Sequence, residues 1–439
     1  YSRYMDSTIF FNPVLVSIIL LCVLCLCKIN VLLSIMISAI VAGLMAHMGI
    51  TDIMNTFISG MGTNAETALS YILLGAFAAA MTHTGLATVL AKKITQLIKN
   101  NALILYLILT VIAILSQNLI PVHIAFIPIL IPPLLHVMNV LKIDRRAIAC
   151  CLAFGLKAPY IVIPAGFGLI FQGLLADNMV QNGMNVSINE VWKSTWILGL
   201  GMFVGLLVAI FISYRKPREY KDITIEDIEN TDTKLTKEHY ITLFAAIATL
   251  GVQLWTKSLP LGALVGLGII FGTGTIKHKK MDNLVDEGIG LMGYIAFVML
   301  VAAGFALVLK QTGGIESLVS STMSIMPSNK IAAAFLMLIT GLFITIGIGT
   351  SFGTIPILAV IFVPICAQLG FNLQETLVVF AAAAALGDAG SPASDTTLGP
   401  TAGLNADGQH NHIWDTCIPT FLHYNIAIII FALIGIIIF

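Results

Sequence analysis

Two stretches set the terms for everything else. "NPVLVSIILLCVLCLC" (12–27) and "STWILGLGMFVGLLVAIFISY" (194–214) contain no charged residue. Crossing the hydrocarbon core of a bilayer takes roughly 20 apolar residues as a helix. In lipid the backbone must satisfy its own hydrogen bonds, and long apolar runs of this kind do so as helices. Similar runs recur along the chain: 58% of the 439 residues are apolar and 10% are charged. A soluble domain would carry about a quarter charged residues. The reading is an all-α, multi-pass membrane protein. The first run lacks a small-residue cleavage site and feeds straight into a second, so it reads as a retained helix. No basic footprint for nucleic acid is present. Cys22, Cys25 and Cys27 lie inside the first run and read as polarizable filler.

The chain also repeats itself. Thr84-Gly85 and Thr312-Gly313 stand 228 residues apart (312 − 84), and the same shift carries Pro128-Ile129-Leu130 onto Pro356-Ile357-Leu358. One shift holding in two separate segments points to duplication. Pro159 matches Pro392 at a shift of 233, which a short insertion would explain. Each half reads as two membrane helices (12–28 and 31–49; 239–256 and 260–276) and a third (65–91; 289–310). A long apolar segment interrupted by polar residues follows, then a Gly/Pro-broken helix (146–176; 373–404) and a closing helix (190–214; 416–439). The division is a first repeat (1–214), a connector (215–238) and a second repeat (239–439).

If each interrupted segment is a re-entrant hairpin, each half crosses the membrane five times, one crossing being broken. An odd count turns the second repeat upside down relative to the first. The fold class is therefore two inverted-topology repeats, each with five transmembrane helices and one re-entrant hairpin. This topology puts Lys28, Lys92, Lys93, Lys99, Lys142, Arg145, Arg146, Arg215, Lys216, Arg218, Lys221, Lys234, Lys237, Lys277, Lys279 and Lys280 on one side, 16 of the 22 Lys and Arg. That side is expected to be cytoplasmic, with both termini external.

Four polar interruptions lie within these membrane segments: "SQN" (116–118), "FGLKAPY" (154–160), "GTSFGT" (349–354) and "GDAGSPASDTTLGPTAGLN" (387–405). Irregular backbone at membrane depth is tolerated only where protein buries it or water reaches it. Their convergence would make one site lined by helix ends. Helix N-termini suit a carboxylate, and unwound carbonyls suit a small cation. The hairpin tips (Ser116, Gln117, Asn118; Gly349, Thr350, Ser351) are the candidates for a substrate carboxylate. Asp388 and Asp395 are costly charges within an apolar setting and so are expected to have a task. The hydroxyls of Ser394, Thr396 and Thr397 beside Asp395 offer hard oxygen ligands for Na+. Lys157 is expected to pair with Asp388 or to stand where Na+ would bind, which makes the coupling ion H+; the other reading is a lysine snorkelling to the interface. His123, five residues after Asn118, is the best placed histidine. His83 and His423 read as helix contacts, Lys310 and Glu316 as interfacial anchors, and "DGQHNHIWD" (407–415) as a wetted cytoplasmic loop. The chain holds no Walker motif, GxSxG or HExxH, so no enzyme or ATP-driven pump is expected.

At "GDAGSPASDTTLGP" the chain resembles the Na+/H+ antiporter (NhaC-like) family of the ion-transporter superfamily. "GLNADGQHNHIWDTCIPTFLHYN" resembles a branch of bacterial amino-acid permeases, with histidine as the named substrate. The resemblance implies inverted repeats, a homodimer with a scaffold and a mobile transport domain, and an elevator motion in the bacterial inner membrane. It gives Asp388, Ser391, Ser394, Asp395, Thr396 and Thr397 the ion or substrate role. The first expectation is an ion-coupled importer of a small amino acid, coupled to Na+ or H+ and needing no cofactor beyond a bound Na+. The second is a Na+/H+ antiporter without an organic substrate, and the third a passive channel.

Overall fold

The computed structural model describes residues 10–98, 100–119, 123–223, 234–348, 350–392 and 394–439, and every regular element among them is helical. In chain order the first half holds α1 (Pro13–Leu26), α2 (Val31–Met45), α3 (Ile50–Met61), α4 (Ala65–His83), α5 (Leu86–Leu97), α6 (Ala102–Ile114), α7 (His123–Leu130), α8 (Leu135–Val140), α9 (Arg145–Val162), α10 (Phe167–Gln181) and α11 (Ile188–Ser213). The second holds α12 (Lys237–Thr256), α13 (Leu259–Gly272), α14 (Met281–Gln311), α15 (Gly314–Ile325), α16 (Lys330–Ile348), α17 (Ser351–Gln368), α18 (Leu373–Ala385), α19 (Asp395–Leu404) and α20 (His412–Ile438). Polar residues at the loop ends start these helices. Asn12 Oδ1 accepts from the Val14 amide at 2.9 Å, and Asn372 and Glu375 form a reciprocal capping box at 2.8 and 3.0 Å.

Element starts repeat with one offset. α5 and α15, α6 and α16, α7 and α17, α9 and α18, and α10 and α19 each begin 228 residues apart (314 − 86 for the first pair). The third span of each half is 34 residues, Ile50–His83 and His278–Gln311, at the same offset. It is longer than the expected 289–310 span, and in the first half it stops before the expected Leu90 and Ala91. Gly85 ends it there: its φ of 76° begins the separate helix α5, as Gly313 with φ 71° begins α15.

The constant offset also removes the insertion expected between Pro159 and Pro392. α9 stays helical to Val162, whereas α18 unwinds after Ala385, five residues earlier in register, and the strand of chain that follows turns through Gly387 (φ 82°) and Gly390 (φ 83°). The helical segments that follow the SQN and GTS interruptions differ as well. α17 is continuous over 18 residues, but Pro132-Pro133 splits the first-half segment into α7 and α8. Two adjacent prolines remove two amide donors from one helical turn.

α4 packs against α14, α13 and α5, and α14 also packs against α2 and α3. A second group has α9 against α6 and α11, α11 against α20, and α16 against α18. α17 touches both groups, with α14 on one side and α10 and α18 on the other. Gly75 and Gly288 let α4 and α14 approach backbone to backbone, since a Cβ on either would meet the other helix's main chain. The bend between α9 and α10 is 46°.

Candidate functional site

The break between α18 and α19 carries Asp388. Its Oδ2 accepts from Lys157 Nζ at 2.9 Å, Ser351 Oγ at 2.7 Å and Tyr160 OH at 3.2 Å. All four residues are buried, none more than 4% exposed. Lys157 and Tyr160 lie three apart on α9, hence on one helix face. Ser351 is the first residue of α17, so α9, the start of α17 and the break between α18 and α19 meet at a single carboxylate oxygen. An ion pair in such surroundings recovers its desolvation cost only through close geometry and added hydrogen bonds, and the two hydroxyls supply them. At 1% exposure Lys157 does not snorkel to the interface.

A second polar contact lies at two other helix starts. His123, the first residue of α7, meets Asp395, the first of α19, with Nε2 to Oδ2 at 2.9 Å. His123 is 2% exposed and its Nδ1 has no partner, while the Asp395 side chain is one-third exposed. The His123 ring packs edge-on to Phe167, the first residue of α10, with centroids 5.5 Å apart. Asn118 seats the helical turn that follows α6 on the α9–α10 break: its Nδ2 donates long hydrogen bonds to the carbonyls of Ile163 (3.5 Å) and Ala165 (3.4 Å). That fixes the amide's sense, leaving Oδ1 as a buried acceptor without a partner; Gln117 Oε1 is another. Gly166 permits this seat. Its φ is 58°, and a Cβ there would collide with the Asn118 carbonyl.

The other sequence candidates fall nearby. Ser116 Oγ returns to the Ala113 carbonyl at 3.0 Å. Thr350 is the N-cap of α17, and Gly349 lies outside the described residues. The Ser391 amide bonds the Asp388 carbonyl at 3.1 Å. Ser394 caps α19, its Oγ 2.9 Å from Thr396 Oγ1, and Thr397 Oγ1 donates to the carbonyls of Ser391 and Ser394. These three hydroxyls therefore bond within the motif and shape its turn.

Sequence reasoning missed the apolar shell. Tyr71, Tyr160, Phe167, Phe171 and Phe352 pack ring on ring, with centroids 5.0 to 6.1 Å apart, around the two polar contacts. The i to i+3 spacing of Lys157 and Tyr160 was the one available signal. It also missed a buried clamp. Arg145, the first residue of α9, grips Asp407 with two bonds of 2.7 and 2.6 Å, the side chains 0% and 1% exposed. The "DGQHNHIWD" segment is organised and not simply wetted. His410 is 2% exposed and bonds Thr416 at 2.6 Å, and His412 bonds Thr401 and the Pro392 carbonyl.

Residues 151–436 match the Na+/H+ antiporter family, and residues 12–98 match a second family of the same description. The chain belongs to the Na+/H+ antiporter family. Full-length relatives of this antiporter-family chain include the uncharacterised membrane protein VP2115 of Vibrio parahaemolyticus, 49% identical over 97% of this chain and 99% of that one. YuiF of Bacillus subtilis, provisionally named an amino acid transporter, is 46% identical over 97% and 99%. Among solved structures the fold is shared with the YdaH transporter of Alcanivorax borkumensis (TM-score 0.60, 13% identity, 88% of each chain). It is also shared with MtrF of Neisseria gonorrhoeae, described as one of a class of antimetabolite efflux pumps (TM-score 0.57, 14% identity, 88% and 84%). The antiporter-family chain is thus a multi-pass membrane transporter.

Proposed function

We propose that this transporter is an ion-coupled secondary carrier importing a small amino acid across the bacterial cytoplasmic membrane, with histidine the first substrate to test. The observation that carries the reading is the buried Lys157–Asp388 pair, 2.9 Å apart where α9, the start of α17 and the α18–α19 break meet. A carrier needs a site with two charge states that can be reset on each side of the membrane. If Lys157 releases its proton, Asp388 is left with an unneutralised charge that Na+ or a substrate ammonium can balance. The 46% identity to YuiF supports an amino acid as cargo. Four helix starts, at His123, Phe167, Ser351 and Asp395, offer amides to its carboxylate. Gln117 and Asn118 offer buried acceptors to its ammonium. Asp395 is the place for a coupling Na+.

The constant 228-residue offset supports two repeats; in this proposal they run in opposite orientation and work as an elevator in a homodimer with both termini external. The second reading, Na+/H+ antiport without an organic substrate, is favoured by the family itself. Proteoliposomes separate the two: amino-acid uptake driven by a pH or Na+ gradient supports the first, and dye-reported proton exchange on adding Na+ alone supports the second.

Asp395→Asn keeps a hydrogen-bond acceptor for His123 but loses the charge. We expect uptake to fall at least about tenfold, equivalent to about 1.4 kcal/mol, with unchanged expression and gel-filtration profile. Uptake equal to that of the parent protein rejects the assignment of Asp395.

A further inference from the structure

A cavity of about 250 Å³ lies between α4, α10 and the α12–α13 turn, and its lining includes Glu66, Ser70, Ile170, Asp177 and Lys257. It is separate from the polar contacts described above but only one layer of rings away from them. Ser70 precedes Tyr71, whose ring packs on Phe167 at 5.3 Å and Phe352 at 6.1 Å. Ile170 precedes Phe171, which packs on Tyr160 at 5.0 Å and Phe352 at 5.8 Å. Beyond those rings Phe167 touches His123, and Tyr160 bonds Asp388. The cavity also straddles the seam between the α4–α14 group and the group built on α9 and α11.

We propose that this cavity is an outer capture site for zwitterionic α-amino acids. The inference rests on the amino-acid reading above and adds a second place on the substrate's route. Lys257 offers a cation to the carboxylate; Glu66 and Asp177 offer anions to the ammonium. A lining of both signs suits a zwitterion better than a plain anion or cation. The volume lies below the 300–1,000 Å³ usual for drug-sized ligands, so it admits one small molecule and excludes peptides. All three charged residues are exposed. Exposed charges act mainly on encounter and orientation, so the capture site acts on KM and weakens in high salt.

The test uses the full chain in proteoliposomes and begins with uptake of each of the twenty amino acids. Lys257 sits at φ 56°, a left-handed conformation that asparagine tolerates, so Lys257→Asn removes the charge without forcing the backbone. For the transported amino acid its KM should rise about tenfold with kcat within about twofold, the signature of lost uniform binding. Lys257→Arg should restore the parent value, and the effect should shrink at 1 M salt. If histidine is the substrate, histamine, which lacks the carboxylate, should inhibit parent and variant equally. A KM unchanged in Lys257→Asn, or a kcat that falls with the melting temperature, overturns the capture site and leaves amino-acid transport standing. If none of the twenty is taken up, the amino-acid reading itself falls, and the capture site falls with it.

Discussion

Lys157→Met should lower the apparent unfolding free energy of the purified transporter by about 3–5 kcal/mol, the usual cost of leaving one member of a buried ion pair alone. Methionine fills nearly the volume of lysine, so lost packing contributes little. What remains is the Asp388 carboxylate, 4% exposed, with neutral hydroxyls such as those of Ser351 and Tyr160 and no cation to balance it. Asp388→Asn should be costly for the mirror reason, a buried ammonium facing an amide. Combining the two removes both charges and should recover most of the loss, giving a large coupling energy in a double-mutant cycle. The double variant also separates structure from transport. Thermal unfolding in detergent should approach that of the parent, while gradient-driven uptake stays abolished. In Lys157→Met, substrate exchange without a gradient should survive if the lysine carries the coupled proton. Melting temperatures equal for parent and both single variants would show that the pair contributes nothing to stability. Gradient-driven uptake by Lys157→Met would remove the lysine from ion coupling.

What the sequence revealed and what it hid follow one physical divide. Apolar length is a property of the chain alone, so the membrane class was legible from runs such as 194–214. The repeat was legible from two short matches because glycine at positive φ and proline mark the backbone wherever they fall; Gly85 and Gly313 do sit at equivalent helix starts. Lys157 and Asp388 drew notice as charges within apolar helices. Their contact does not come from equivalent positions, however: at the 228 offset Asp388 corresponds to Tyr160, and the pair meets because the two breaks converge. Beyond the Lys157–Tyr160 spacing the aromatic layer left no trace, since Tyr71, Phe167 and Phe352 are single rings in already apolar helices. The clamp was hidden for another reason. Arg145 and Asp407 lie 262 residues apart in stretches that both read as loop ends, and polar composition cannot distinguish a wetted charge from one whose partner is brought in by the fold. His410 was misread on the same ground.

That clamp yields the second large effect. Arg145 opens α9, where a positive charge opposes the helix dipole, so it depends on its partners. Besides Asp407 it reaches the Leu404 carbonyl at 3.1 Å and Asn139 at 3.0 Å, and its guanidinium lies 4.2 Å from the Tyr220 ring centroid. Arg145→Met should cost about 3–5 kcal/mol at neutral pH, and Arg145→Lys less, because it keeps the charge but loses the two-pronged geometry. Acid tests the cause. Burial alone would raise the Asp407 carboxyl, yet the Arg145 hydrogen bonds and charge hold it below the usual range. Its contribution is therefore present above the unfolded carboxylate pKa and lost only in stronger acid. Burial lowers His410 from 6.5 to about 4. Across that window the unfolded chain binds more protons, so the parent loses stability as pH falls from 6.5 towards 4. His410→Gln should flatten that slope. In Arg145→Met only the Gln409 hydrogen bonds still favour the Asp407 carboxylate against burial, so it takes up a proton more readily while still folded, and the deficit against the parent should narrow as pH drops. Melting curves from pH 7.5 to 4.5 read this directly. A deficit that stays constant over that span would mean Arg145 supports the fold through packing and not through its charge on Asp407.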